Sequence, residues 1–316
     1  MGKTAFLFPG QGSQFPGMGK ELAKQYAAAS DVFQKADQVL GFSLSELMFH
    51  GPEEELKRTE NTQPALLTMS TAVAEVLKEN GITFDYAAGH SLGEYSALVA
   101  ANSLLFEEAV YCVRQRGKFM EEAVPSGLGS MAAVLGMEQQ LLESITAQVT
   151  KEGDSVQIAN LNCPGQIVIS GTASGVDNAS LLVKEQGAKV IPLQVSGPFH
   201  SVLMKPAAEK FRSVLEKTNV SDASVGVVAN VTAKPVTDRH EIKELLVEQL
   251  FSPVRWEETI RELMDLGVDT FVEAGPGKVL SGLVKKVNRR ANVYAVSDPE
   301  TLAAVIEKLK GEKEHA

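Results

Sequence analysis

Short apolar runs alternate with amphipathic stretches along this chain, and the alternation sets the expected order of elements. Thr4-Ala5-Phe6-Leu7-Phe8 is a continuous apolar run, the pattern of a strand buried on both faces. Phe84–Ala88 and Thr270–Val272 are two further short runs that read as strands. Glu94–Ala101 favours helix. Over residues 106–120, Phe106, Ala109, Val110, Val113, Gly117 and Met120 fall on one face at about 100° per residue, an amphipathic helix. Strand-like and helix-like segments in alternation predict an α/β protein.

One stretch reads as a unit of its own. Met131–Gly136 predicts a strand and Glu138–Thr150 a helix. Val156–Asn162 and Gln166–Gly171 predict two strands joined by the turn Cys163-Pro164-Gly165. Ser174–Gln186 then predicts a helix and Lys189–Val195 a strand. The order β-α-β-β-α-β is that of a ferredoxin-like unit. Turn-rich stretches, residues 125–129 and Ser196-Gly197-Pro198, bound it on either side. Residues 128–196 are therefore expected to form a small domain inserted into a larger one made of residues 1–127 and 197–316. The charged end, Lys308–Ala316, reads as frayed.

Composition narrows the class. The chain has 316 residues, 44% hydrophobic and 22% charged, enough to bury one large core and a second smaller one. A net charge of −10 and a pI of about 5.2 argue against nucleic acid as a partner. The N-terminus enters an apolar strand without the charged-then-apolar layout of a signal peptide. No apolar run approaches the ~20 residues of a membrane span. Cys112 and Cys163 stand apart and offer no metal spacing. The expectation is a cytoplasmic, reduced, monomeric protein with no bound metal and no membrane contact.

The chemistry begins at Gly89-His90-Ser91-Leu92-Gly93, a G-x-S-x-G run placed between a predicted strand and a predicted helix. A serine on so tight a turn presents its hydroxyl to a cleft, and the glycines let neighbouring backbone pass close by. Serine needs a base within hydrogen-bond reach to act as a nucleophile. Of the five histidines, His315 lies in the tail, His240 at a polar helix start and His50 before a Gly-Pro turn; His90 adjoins the serine and should point away from it. His200, in Gly197-Pro198-Phe199-His200-Ser201, sits where the chain leaves the inserted unit, a natural lip for a cleft. A hydrolase triad would place an orienting Asp or Glu between serine and histidine. The acids of that interval fall mostly on exposed helix faces or in the small unit, so a Ser-His dyad held by a neutral group such as a backbone carbonyl is expected instead.

Two arginines border the apolar face of helix 106–120. Arg116 lies about 20° outside one edge and Arg114 about 40° outside the other, so the wheel prefers neither decisively. An arginine leaning into an apolar face must meet an anion, either a core carboxylate or a substrate carboxylate suited to the guanidinium fork. After the first strand, Pro9-Gly10-Gln11-Gly12-Ser13-Gln14-Phe15 is glycine-rich. It fails the dinucleotide pattern, because Phe15 stands where a third glycine belongs. It also fails the P-loop pattern, with Gln14 and Glu21 at the required Gly and Ser/Thr positions around Gly19-Lys20. Such a turn can instead aim main-chain N–H groups into a cleft, those of Gln11 and Leu92 forming an oxyanion hole. Lys285, Lys286, Arg289 and Arg290 cluster on a predicted helix in an otherwise acidic chain, a solvated face or a dock for an anionic partner.

Five segments together carry a resemblance: Phe8–Gln14, Asn61-Thr62-Gln63-Pro64-Ala65, Gly89–Glu94, Gly197–Ser201 and Glu273-Ala274-Gly275-Pro276-Gly277. They are similar to the motifs of the acyltransferase family of free-standing bacterial malonyl-CoA:acyl-carrier-protein transacylases, over essentially the whole chain. The resemblance implies an α/β-hydrolase-like large domain with a ferredoxin-like insertion. It implies Ser91 as nucleophile, His200 as base and the Gln11 and Leu92 N–H groups as oxyanion hole. Arg116 falls at the position that pairs with the malonyl carboxylate. Gln249 falls at that of the residue whose backbone carbonyl orients the histidine. Gln63, His90, Asn160 and Phe199 fall among the substrate-binding positions, and Phe199 and Leu92 match the malonyl-preferring versions. The implied substrates are malonyl-CoA and acyl carrier protein, with no cofactor. Three alternatives stay open: another dicarboxylyl-CoA donor, a serine thioesterase that uses water as acceptor, and a non-catalytic carrier-binding subunit.

Overall fold

A computed structural model describes residues 2–125 and 127–314; Ser126, within the predicted boundary stretch, and His315 lie outside the described residues. The strands, in chain order, are β1 (Lys3–Phe8), β2 (Tyr86–Gly89), β3 (Gly129–Leu135), β4 (Val156–Cys163), β5 (Gln166–Thr172), β6 (Lys189–Pro192), β7 (Gly226–Val228), β8 (Pro235–Val236), β9 (Val268–Ala274) and β10 (Asn292–Val296). They form two sheets, one ordered β10-β9-β1-β2-β7-β8 and one ordered β4-β5-β3-β6. The first is parallel except for β8, which runs antiparallel to β7. The second is antiparallel throughout. The protein is thus a mixed α/β fold with two sheets.

The apolar run of β1 is explained by helices on both sides. Phe6 and Phe8 join one core, together with helices Thr59–Glu79 and Phe106–Glu122; Ala5 and Leu7 join another, with helices Trp256–Asp265 and Val279–Val287. Ala87 and Ala88, and Val227 and Val228, divide between the two cores in the same way. The period of two thus sends successive side chains to opposite, equally dry faces.

The second sheet has a different economy. Ala132 and Val134 of β3, Ile158 of β4 and Ile169 of β5 pack under helices Gln139–Lys151 and Ala173–Glu185. The opposite face, with Met131, Ala133, Ala159 and Val168, merges into the main core. Ala159 and Leu161 also exchange main-chain hydrogen bonds with Val254, at 2.8 and 2.9 Å. The small sheet is thereby fastened beside the carboxyl ends of β1 and β2, where a parallel sheet puts its loops and its ligands.

Most expected elements form, with three differences. The last strand of the small sheet stops at Pro192 and not at Val195: the Leu193 N–H still donates to the Met131 carbonyl at 3.0 Å, but the Val195 N–H turns back onto the Leu193 carbonyl at 3.1 Å. The charged C-terminal segment is helical, in Pro299–Glu314, held by Leu302, Val305 and Leu309 against the main core. Helix Val279–Val287 ends before the two arginines of the basic cluster, since Asn288 turns extended (φ −143°, ψ 107°). Among the described residues no helix is long and apolar enough to cross a membrane.

Close approach fixes the turn after β2. A Cβ at Gly93 would stand 2.0 Å from the Phe8 carbonyl oxygen, and one at Gly89 only 1.9 Å from the Gly93 carbonyl. Backbone here packs on backbone, which nothing larger than glycine permits. Gly93→Ala is expected to lower stability by about 2 kcal/mol in chemical denaturation. A midpoint equal to wild type would mean that β1 and this helix can separate freely.

Candidate active site

Ser91 occupies the turn between β2 and helix Gly93–Ala100 with φ of 51°, the left-handed region that non-glycine residues rarely adopt. The strain is held by Asn230, which follows β7. Its Oδ1 accepts the Ser91 N–H at 2.7 Å, and its Nδ2 donates to the Gly89 carbonyl at 2.7 Å. One buried amide therefore clamps both ends of the turn. His200 also has a positive φ, 57°, and its loop is clamped from β4. Gln157 accepts the Val202 N–H at 2.9 Å and donates to the His200 carbonyl at 3.3 Å. Strained backbone so heavily over-determined is characteristic of functional sites.

The hydroxyl and imidazole meet. Ser91 Oγ lies 2.8 Å from His200 Nε2. On the far side of the ring, Nδ1 lies 2.9 Å from the Gln249 main-chain carbonyl, which can only accept. The proton therefore sits on Nδ1, and Nε2 offers its lone pair to the serine hydroxyl. The orienting partner is neutral, as the missing acid suggested. Burial, with the positive charge of Arg116 second, pushes the His200 pKa down to about 3, outweighing the carbonyl bond. The ring is thus a neutral base throughout the physiological range.

The structure separates the two arginines. Arg116 is fully buried; its Nη2 donates to Gln249 Oε1 at 2.9 Å and to Ser91 Oγ at 3.2 Å, and it stands over the Tyr95 ring. No carboxylate lies within ion-pair distance of it among the described residues, and its buried Nε has no partner. Arg114 instead faces Glu60, bonds Asn61 Oδ1 at 2.7 Å and covers Phe42, a structural task. A buried guanidinium without a counter-ion is costly, and it is aimed at the serine.

These groups line one cleft of about 430 Å³. Gln11, Gln63, His90, Ser91, Leu92, Arg116, Asn160, Phe199 and His200 all border it, so the expected site residues are brought together from both sheets. Among the described residues the main-chain N–H groups of Gln11 and Leu92 donate none of the main-chain hydrogen bonds around their turns, and both residues border the cleft. His90 points away from the serine hydroxyl, its Nε2 2.9 Å from Asn162 Oδ1 and its ring against Trp256. Gln249 lies beneath the floor rather than on it. The basic cluster is elsewhere: Lys285 is tied to the Ala291 carbonyl at 2.7 Å and Lys286 to Gln166 at 3.3 Å, while Arg289 and Arg290 are exposed past the helix end. Among the described residues no group of three or more His, Cys, Asp or Glu is placed to hold a metal ion.

Sequence reasoning missed Asn230, Gln157 and Glu94. The first two are polar residues without a local motif. Glu94 had a signal: it is the single charged residue in a helix otherwise buried on most sides. It is not on an exposed face, as expected for acids of that interval, but 3% exposed, beside Gln249 and not touching His200. Burial pushes its carboxyl up to about 7, against bonds from Asn230 and Gln249.

Residues 5–314 match the acyl transferase domain family. The chain belongs to that family. It is 62% identical, over 100% of both chains, to the malonyl CoA-acyl carrier protein transacylase of Bacillus subtilis (strain 168). An acyl carrier protein S-malonyltransferase from Vibrio cholerae superposes with a TM-score of 0.94 at 43% identity, covering 96% of this chain and 99% of that one. A malonyl-transacylase solved in complex with its type II PKS acyl-carrier protein gives a TM-score of 0.94 at 42% identity, covering 97% and 99%.

The depressed His200 pKa has a measurable sign. The folded value lies below the unfolded ~6.5, so the unfolded chain binds the extra proton. The contribution of His200 to stability is present above ~6.5 and is lost as pH falls toward 3. In labelled-histidine NMR, His200 is expected to keep the neutral Nδ1–H form from about pH 8 to about pH 5. Protonation with a midpoint near ~6.5 would contradict the site geometry.

Proposed function

We propose that this protein transfers the malonyl group from malonyl-CoA to the phosphopantetheine thiol of acyl carrier protein, through a malonyl-Ser91 intermediate. The observation that carries the reading is the buried Arg116, with no carboxylate within ion-pair distance among the described residues, beside a Ser-His pair whose base is already neutral. A charged acyl group completes that arginine; an uncharged one leaves it unpaired. His200 takes the Ser91 proton as the hydroxyl attacks the thioester carbonyl. The tetrahedral oxyanion is received by the N–H groups of Gln11 and Leu92, each such donor worth about 3 kcal/mol in related sites. The C–S bond then breaks and CoA leaves with the proton. In the second half-reaction His200 removes the carrier thiol proton, the thiolate attacks the acyl-serine ester, and Ser91 regains its hydrogen. No step calls for a cofactor. A dicarboxylyl-CoA donor other than malonyl-CoA is the alternative that the same arginine supports.

The architecture is read to match. An α/β-hydrolase-like large domain, residues 1–127 and 197–316, carries the nucleophile turn, and a ferredoxin-like small domain, residues 128–196, forms the far wall. The sheet order β4-β5-β3-β6 with both helices on one face supports the second assignment. The chemistry suits a cytoplasmic monomer meeting diffusible substrates.

Intact-mass measurement after malonyl-CoA is expected to show one malonyl adduct in wild type and none in Ser91→Ala. Free malonate accumulating in place of malonyl-carrier protein would indicate a thioesterase. Arg116→Ala is expected to lower the preference for malonyl-CoA over acetyl-CoA by about 2–3 kcal/mol, the cost of one charged hydrogen-bonded contact. An unchanged preference would refute the clamp.

An acidic enzyme meeting an acidic carrier protein needs a local basic surface, and Lys285, Lys286, Arg289 and Arg290 supply one. Reversing Arg289 and Arg290 to Glu, the two cluster members whose side chains make no hydrogen bond or ion pair among the described residues, is expected to slow transfer to the carrier about tenfold while leaving malonyl-Ser91 formation unchanged. Equal loss in both half-reactions would remove docking from this surface.

A further inference from the structure

Glu94 hydrogen-bonds neither the Ser91 hydroxyl nor His200 among the described residues, yet it sits where both can be governed. Its Oε2 accepts the Asn230 N–H at 3.1 Å and the Gln249 Nε2 at 2.7 Å. The Gln249 carboxamide thus has its donor end among three acceptors: Glu94 Oε2, the Ser91 carbonyl at 3.0 Å and Asn230 Oδ1 at 3.3 Å. Its acceptor end meets only a donor, Arg116 Nη2, at 2.9 Å. Turned over, the amide would oppose its NH₂ to a guanidinium and its oxygen to a carboxylate, two repulsive contacts in place of two attractive ones. The strongest acceptor of the three is the carboxylate, and it receives the shortest bond.

We propose that Glu94 is a positioning residue: it fixes the direction of the Gln249 carboxamide and, through it, aims Arg116 at the carboxylate of the acyl group. Among the described residues no carboxylate lies within ion-pair distance of the guanidinium, so the amide oxygen and the Ser91 hydroxyl are the hydrogen-bond contacts that set its azimuth. A guanidinium that drifts away from this pose still carries its charge but loses the geometry for a two-pronged grip on a carboxylate. Glu94 therefore acts on recognition of the charged acyl group more than on the serine-histidine step, whose histidine is held by a main-chain carbonyl. The inference rests on the reading of Arg116 as the acyl-carboxylate clamp.

The test compares Ser91 acylation, read as CoA release, with malonyl-CoA and with acetyl-CoA. Glu94→Leu, similar in size but without an acceptor, is expected to lower kcat/KM for malonyl-CoA about tenfold more than for acetyl-CoA, the excess falling chiefly on KM. Glu94→Gln keeps an oxygen at the same reach and is expected to hold the malonyl/acetyl ratio within about threefold of wild type. A wild-type ratio in Glu94→Leu, an equal fall for both substrates, or a Glu94→Gln ratio as low as that of Glu94→Leu would each overturn the proposal. Arg116→Ala, run alongside, separates the two readings. If it keeps the malonyl preference, the clamp is wrong and the inference falls with it. If it loses the preference while Glu94→Leu keeps it, only the inference falls. Should Glu94→Leu fail to fold, Glu94→Asp, whose carboxylate falls one methylene short of Gln249, carries the same expected drop in ratio, and an unchanged ratio there is equally fatal.

Discussion

Gln249 is shared between the nucleophile turn, the base and the arginine, and those three come from distant parts of the chain. Its main-chain carbonyl holds the imidazole, its amide oxygen holds the guanidinium, and its amide nitrogen reaches the Ser91 carbonyl. The residue is completely buried, so each of these bonds forms without competition from water and each loss would strand a polar group. The arrangement replaces the acid of a hydrolase triad by a neutral junction. It fixes the histidine tautomer without placing a negative charge against the ring.

The neutrality matters because the site already holds one unbalanced charge. Arg116 is kept in the interior by amide, hydroxyl and aromatic contacts and not by an ion pair. The core encloses it on several sides, with Tyr95 on a neighbouring helix and Val113 and Met120 on its own. Both sheets contribute to that enclosure: β1, β2 and β7 bring the serine turn and its clamp, while β3 and β4 bring Met131, Asn160 and Gln157 to the opposite wall. Midway along β4 the small sheet is stitched to Val254, which holds it beside the larger one.

Much of this was legible in the chain, for definable reasons. The strand at Thr4–Phe8 and the serine turn were readable because a doubly buried strand and a tight glycine turn each admit few sequences. The β-α-β-β-α-β order was readable because its apolar periods switch cleanly. His200 emerged by elimination, and Arg116 from a helical wheel only as one of two choices. The wheel could not separate the arginines because the deciding fact was tertiary: Glu60 lies within ion-pair distance of Arg114, whereas among the described residues no carboxylate comes that close to Arg116. Asn230 and Gln157 were illegible because each acts through main-chain atoms of segments remote in sequence. Glu94 was misread for the opposite reason, since a helix usually turns its lone acid to water. The basic cluster was placed on a helix that in fact ends at Val287, an error of boundary of the kind that local patterns leave open.

The field of Arg116 at His200 works in two directions. It adds to burial, the larger cause, in opposing protonation of the ring. Any anion seated on Arg116 cancels much of that field and leaves the imidazole freer to accept the serine proton. Recognition and activation are thereby linked in part: a ligand that satisfies the arginine relieves the smaller of the two causes that suppress the base, while burial, the larger, stays in place. A share of the selectivity then falls on reactivity, in addition to the share carried by binding.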